Sequence, residues 1–265
     1  MTMKCFVLMI SAFCCPVVVA SDLYQTTEVL NRSDLPVTES ASISGEVNLN
    51  ILKYGRSEFG LHLPDGGYET VLHERTKFHS KNRYSWFDRV KGYPESSVNF
   101  SVVNGFIAGS IQTDKETYEF SSKAKNQLRI AQLINNQFAA CDAEVEPELV
   151  NTETTLTPEI IAGSTPMIDV MVIYTPQARD AAGGVNGIEA TAQAAVDAMN
   201  ISFDNSNVDA EATLSYTGLV NYTDTGDSSD DLSWVSSDAS VAALRTAYGA
   251  DMVSLLVNSM SGCGR

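Results

Sequence analysis

The sequence predicts two folded units of different class in one chain: an antiparallel β-rich unit over 45–140 and an α/β unit over 167–265, together an α+β and α/β mix. Three observations carry this. Apolar residues alternate with period two on both sides of Asn104-Gly105, a dipeptide suited to a tight hairpin turn. Two short apolar runs, Ile168 to Tyr174 and Asp251 to Val257, bracket a segment whose apolar residues recur at helical spacing. Between the two units, Cys141 to Pro166 carries Glu144, Glu146, Glu148, Glu153 and Glu159 with Pro147, Pro158 and Pro166, a composition that resists packing and reads as an exposed linker.

Taken in order, residues 1–20 have the grammar of an export signal. Lys4 gives a short positive start, Phe6 to Val19 is an almost unbroken apolar run too short for a membrane span, and Val18-Val19-Ala20 offers small residues before Ser21. Cleavage between Ala20 and Ser21 is expected, with a secreted, extracellular or periplasmic product. Residues 21–44 are polar and turn-rich with no sustained period, and are expected to form a loose N-terminal segment. In the β-rich unit, Val98, Phe100 and Val102 alternate with Asn99, Ser101 and Val103; Ile107, Gly109 and Ile111 alternate on the return, and Thr117 to Phe120 adds a further strand.

After the linker, Ile168 to Tyr174 reads as a buried strand, and Thr175-Pro176 as a helix start with a hydroxyl cap and a first-turn proline. Gly183-Gly184 interrupts, and Ile188, Ala192, Ala195, Met199 and Phe203 mark one apolar helical face ending near Asn205. Glu211 to Tyr222 is strand-like, Asp224 to Asp231 an acidic loop, Ala239 to Tyr248 a short helix, and Asp251 to Val257 a second buried strand. Both of these buried strands are apolar at nearly every position, so each expects cover on two faces.

Charge excludes some functions. The 265 residues hold 17 Lys+Arg against 33 Asp+Glu, a net of −16. From Met167 onward only Arg179, Arg245 and Arg265 are basic, against thirteen acids. Such a polyanion is repelled by phosphate backbones and anionic lipid surfaces, so neither nucleic acid nor membrane is expected as a partner once the signal is removed.

The residues that carry chemistry are few. His62, His73 and His79 are the only histidines, all in the β-rich unit and at spacings that fit no helical metal-ligand pair. No Gly-x-Ser-x-Gly elbow or Walker loop occurs, and Gly183-Gly184-Val185-Asn186-Gly187 has the wrong spacing for a dinucleotide fingerprint. The acidic loop Asp224 to Asp231 offers oxygen ligands of the kind calcium takes but lacks the EF-hand spacing, and a solvated loop is the expected reading. Cys5, Cys14 and Cys15 fall in the signal. Cys141 and Cys263 remain, either paired with each other in an oxidising compartment or lacking a partner. From the residues alone, no catalytic and no metal-binding set is visible.

A resemblance adds to this reading. The run Ile168-Asp169-Val170-Met171-Val172-Ile173-Tyr174-Thr175-Pro176-Gln177-Ala178-Arg179 is similar to the entry strand and first helix of secreted bacterial metzincin endopeptidases, of the reprolysin-like and peptidyl-Asp type. The likeness extends through the alanine-rich stretch to Asn205, and through Tyr248-Gly249-Ala250-Asp251 to Gly262-Cys263-Gly264-Arg265. Trp86, Gly92, Pro94, the hairpin at Gly105 and Gly109-Ser110-Ile111 resemble the propeptide of such enzymes. The resemblance implies a zymogen: a propeptide, then a zinc-dependent metallopeptidase domain acting on protein or peptide substrates. In that family zinc is held by a His-Glu-x-x-His-x-x-Gly-x-x-His segment, whose Glu is the general base. No such segment occurs here, so no catalytic or metal residue carries over, and the chain as written is expected to be a fragment that is inactive and zinc-free. Some metzincin propeptides use a cysteine thiolate as a temporary zinc ligand; Cys141, just before the linker, is a candidate for that latency role, beside a disulfide with Cys263 or no role at all. The competing expectation is a non-enzymatic exported β-rich binding protein.

Overall fold

The computed structural model describes residues 22–30, 32–53, 57–134 and 165–259. The expected signal with Ala20 and Ser21, the linker from 142 to 164, Cys141 and Cys263 lie outside the described residues.

The first unit is one antiparallel sheet of nine strands: β1 (Tyr24–Leu30), β2 (Glu39–Val47), β3 (Glu58–His62), β4 (Tyr68–Ser80), β5 (Arg83–Val90), β6 (Ser97–Val103), β7 (Phe106–Gln112), β8 (Thr117–Ser121) and β9 (Gln127–Leu133). A one-turn helix, α1 (Asn50–Lys53), lies between β2 and β3. The spatial order is β1-β2-β9-β8-β7-β6-β5-β4-β3, and the two ends of that series meet. Leu23 N–H donates to the Gly60 carbonyl at 2.9 Å, the Tyr24 hydroxyl to the His62 carbonyl at 2.5 Å, and the Tyr68 hydroxyl to Asp22 Oδ1 at 3.1 Å. The sheet is thus a nearly closed barrel, which leaves little open edge.

Its interior is aromatic and aliphatic. Trp86, Phe59, Phe100 and Phe120 are fully enclosed, with Phe100 stacked on Phe120 at 4.6 Å and Phe59 tilted against Trp86 and edge-on to Phe100. The hairpin at Asn104-Gly105 forms as its sequence dictates: both residues take positive φ, 51° and 93°, and Val103 pairs with Phe106. Residues 21–44, expected to be loose, instead supply β1 and the first part of β2. These strands pair with each other, and β2 pairs with β9 some ninety residues later, so their stabilising partners are remote in sequence.

The second unit is a three-stranded parallel sheet in the order β11-β10-β12, with β10 (Met167–Tyr174) in the centre flanked by β11 (Glu211–Leu219) and β12 (Met252–Leu256). Helix α2 (Pro176–Ala181) starts where its sequence predicts, the Thr175 hydroxyl accepting from the Ala178 N–H and Pro176 standing in the first turn. Helix α3 (Val185–Asn205) crosses from β10 to β11, and α4 (Ser228–Ser237) and α5 (Ala239–Ala247) fill the crossover to β12. Among the described residues no helix is long and apolar enough to cross a membrane.

Two expectations are corrected here. The acidic segment 224–231 is not wholly a loop, because Asp227 caps α4 through the N–H groups of Ser229 and Asp230, and the helix begins at Ser228. Ala195 is exposed, and Val196 takes its place in the cluster of Val170, Val172, Ala192 and Ala212 on one face of the sheet. On the other face, Met171 and Ile173 are met by Val241, Leu244, Trp234 and Val235 of α5 and α4, so cover for that face comes from within these residues.

Candidate functional site

The strands that form the barrel wall explain where the two units meet. In β6, Val98, Phe100 and Val102 point into the barrel, and the alternate row of Asn99, Ser101 and Val103 should by pattern face water. That row is buried as well, because α3 lies against it. The contacting stripe of α3 is Ala190, Gln193, Ala194 and Asp197, at the spacing of one helical face. Ala190 and Ala194 pack on Val103 and Ala108, with Phe106 beside them. Alanine on this stripe lets helix and sheet approach closely. α3 therefore carries two buried faces, one for each unit.

At the centre of this contact sits Asp197, 1% exposed. Its Oδ2 accepts from the Ser85 and Ser101 hydroxyls, each at 2.5 Å, and its Oδ1 from Gln193 Nε2 at 3.1 Å. A buried carboxylate survives only when its lone pairs are filled, and hydrogen bonds to a charged acceptor are the strong ones. The Ser85 proton is committed to Asp197, so the contact of His79 Nε2 with Ser85 Oγ at 3.0 Å requires His79 to be the donor. Burial pushes the His79 pKa down, opposed by the Asp197 charge and reinforced by Lys77 and Arg83, which favours the neutral ring.

These are the residue types of a hydrolase triad in the wrong order. A nucleophilic serine needs the histidine between itself and the aspartate, whereas here Ser85 lies between His79 and Asp197 and is fully buried. The arrangement holds two units together; it does not present a nucleophile.

Around the anchor, barrel bases face acids of the α/β unit. Lys77 meets Glu211 at 2.5 Å, Arg83 pairs with Glu189, and Arg75 stands 3.9 Å from Asp204. Lys77 holds the Glu211 carboxyl below the usual range. Lys77–Glu211 and Arg75–Asp204 are exposed enough to contribute only about 0–1 kcal/mol each, so they orient more than they bind, while Arg83–Glu189 is the more sheltered pair. Asn104 Nδ2 donates to Asn186 Oδ1 at 2.8 Å, and Asn99 Nδ2 to the Ala194 carbonyl at 3.3 Å.

Gly183-Gly184-Val185-Asn186-Gly187 finds its use at the same contact. Gly183 has φ +79°, and a Cβ there would stand 2.4 Å from the Lys123 carbonyl oxygen of the barrel; one on Gly187 would stand 3.3 Å from that of Ser122. The glycines seat the turn between β8 and β9 on the start of α3.

The sequence-predicted candidates are dispersed. His62 stands 3.9 Å from Asp22 and edge-on to Tyr68. His73 stacks on Trp86 at 3.9 Å, with Nδ1 2.8 Å from Asp88 and Nε2 3.1 Å from the Thr76 hydroxyl. Burial raises the Asp88 pKa from 3.8 to about 6, against the lowering effect of its His73 hydrogen bond. In the acidic segment, Asp224 accepts from the Asn258 and Ser259 N–H groups, and Asp231 from the Tyr222 hydroxyl and from Thr225. Among the described residues no group of three or more His, Cys, Asp or Glu side chains could hold a metal ion, so the described residues do not fit a zinc centre. A crevice of about 540 Å³ beside the C-terminal end of α3 is lined by Arg75, Asp88, Arg89 and Asp204, charges already engaged with neighbours.

Sequence reasoning did not find Asp197, Ser85, Ser101, Gln193 or Asn99. One signal was there: a lone acid among alanines at positions 190, 194 and 197, beside a complete apolar face at 188, 192, 196, 199 and 203. The chain matches no protein-family model and no curated protein.

Proposed function

We propose that this chain belongs to the precursor of a secreted zinc-dependent metalloendopeptidase of the metzincin class, with the barrel as propeptide and the α/β unit as the opening part of the catalytic subdomain. The observation that carries the reading is the pairing of the two units. A strand–helix–strand unit with parallel strands, whose entry sequence Ile168 to Arg179 resembles the metzincin start, has its first long helix capped by a separate barrel through a dedicated polar contact. A barrel docked in this way suits a segment that accompanies a catalytic domain through export. Zinc and its ligands enter by resemblance alone, and no catalytic step is assigned to residues of this chain.

The test is made on the gene product isolated from its native cell. Peptide mapping of the whole polypeptide is expected to find a His-Glu-x-x-His segment. Metal analysis is expected to give about one zinc per chain, with casein cleavage abolished by a chelator. A native product with no histidine beyond His79 and no zinc overturns the proposal in favour of an exported β-rich binding protein.

A further inference from the structure

We propose that the α3 face bearing Gly183, Gly187, Ala190, Ala194 and Asp197 is a self-sufficient docking surface for the barrel, and that it keeps the two units together as a noncovalent complex after the chain between 134 and 165 is severed. The proposal stands on the interface and does not require the peptidase reading.

Three features carry it. The contact is complementary in charge, with Arg75, Lys77 and Arg83 on the barrel against Asp204, Glu211 and Glu189. It is complementary in shape, since Gly183 admits the Lys123 backbone at distances a side chain would forbid and Gly187 lies close to the Ser122 carbonyl. It also contains one fully buried charge whose donors come from both sides: Ser85 and Ser101 from the barrel, Gln193 from α3 itself. Separating the units must return Asp197 to water and strip it of two charge-assisted hydrogen bonds, which makes dissociation slow relative to a contact of surface ion pairs alone. The contacts that define this interface among the described residues, Asp197 with Ser85, Ser101 and Gln193 and the three ion pairs, are all noncovalent and join residues outside the connection. Cutting the connection would therefore not release the barrel. Release needs a second event that dismantles the Asp197 anchor, such as degradation of the barrel itself.

The experiment uses the full chain carrying a site-specific protease recognition sequence within 142–164. After complete cleavage, the two fragments are expected to co-elute one to one on gel filtration at micromolar concentration, and to remain together in 1 M NaCl, where surface ion pairs are screened. Asp197→Ala, which favours the helix by propensity, is expected to weaken the severed complex at least tenfold. Ser85→Ala with Ser101→Ala does the same from the barrel side, and Lys77→Met changes it less than threefold. Barrel integrity in each variant is read from the near-ultraviolet circular dichroism of the uncut protein, to which the enclosed Trp86 contributes. Severed wild-type fragments that separate, folded or not, overturn the proposal. So does an Asp197→Ala complex as tight as the parent, or a wild-type complex that falls apart in salt.

Discussion

In the barrel, Trp86, Phe59, Phe100 and Phe120 are fully enclosed, and the Leu23 to Gly60 hydrogen bond joins the two ends of the strand series. In the α/β unit the central strand β10 is buried from Val170 to Tyr174, but β11 has only Ala212 fully buried and β12 has no fully buried residue. Stacked pairs, Tyr216 with Tyr248 and Tyr222 with Trp234, partly shelter one face of that sheet. A nine-stranded barrel gathers one shared interior from every strand, whereas a three-stranded sheet has a single central strand and two flanks. The barrel thus stabilises itself, and the α/β unit depends on helices and on its neighbour for cover.

That contrast can be broken first at the barrel centre. Phe100→Ala removes a ring stacked at 4.6 Å on Phe120 and fully enclosed. It is expected to cost about 3–5 kcal/mol in urea unfolding followed by circular dichroism. A loss below about 1 kcal/mol would show that the interior relaxes around the gap and that the barrel is not the rigid partner.

A smaller effect is expected on the barrel wall at Asp88, whose pKa is pushed up to about 6 by burial. The folded state holds this proton more tightly than the unfolded chain. Its stabilising contribution is therefore complete below about pH 4 and lost as pH rises through about 6. Asp88→Asn keeps a carbonyl for His73 and removes the buried charge, so it should raise stability by about 1–3 kcal/mol at pH 8 and lose that advantage as the pH falls below 5. Melting temperatures of the two proteins across pH 4–8 check this, and parallel curves would remove the buried charge as the cause.

The smallest effect belongs to the open flank. Met252, 48% exposed on β12, should accept Lys with a change within about 0.5 kcal/mol by the same denaturation assay. A loss of more than about 2 kcal/mol would mean that this side chain is covered in solution and that the flank is not open.

Legibility followed the range of the forces. Asn104-Gly105 and Thr175-Pro176 were readable because the turn and the helix start are set by the dihedral preferences and hydrogen bonds of adjacent residues. Segment 24–47 was not, because its polar strands gain their stability from each other and from β9 far along the chain. The five glycines and acids of greatest use at the contact, Gly183, Gly187, Glu189, Asp197 and Glu211, read as interruption or solubility until the barrel is set against them.

The sequence by itself determined the order of a β-rich unit followed by a strand–helix–strand unit, the hairpin, the start of α2 and the approximate bounds of the central strand, all consequences of local period and turn chemistry. Tertiary structure decided that the barrel closes, that the polar row of β6 is buried, and that Asp197 is an anchor. A periodic pattern reports one face turned from water. It does not report a second face buried by a partner arriving about a hundred residues away, as Ser85 and Ser101 do at Asp197.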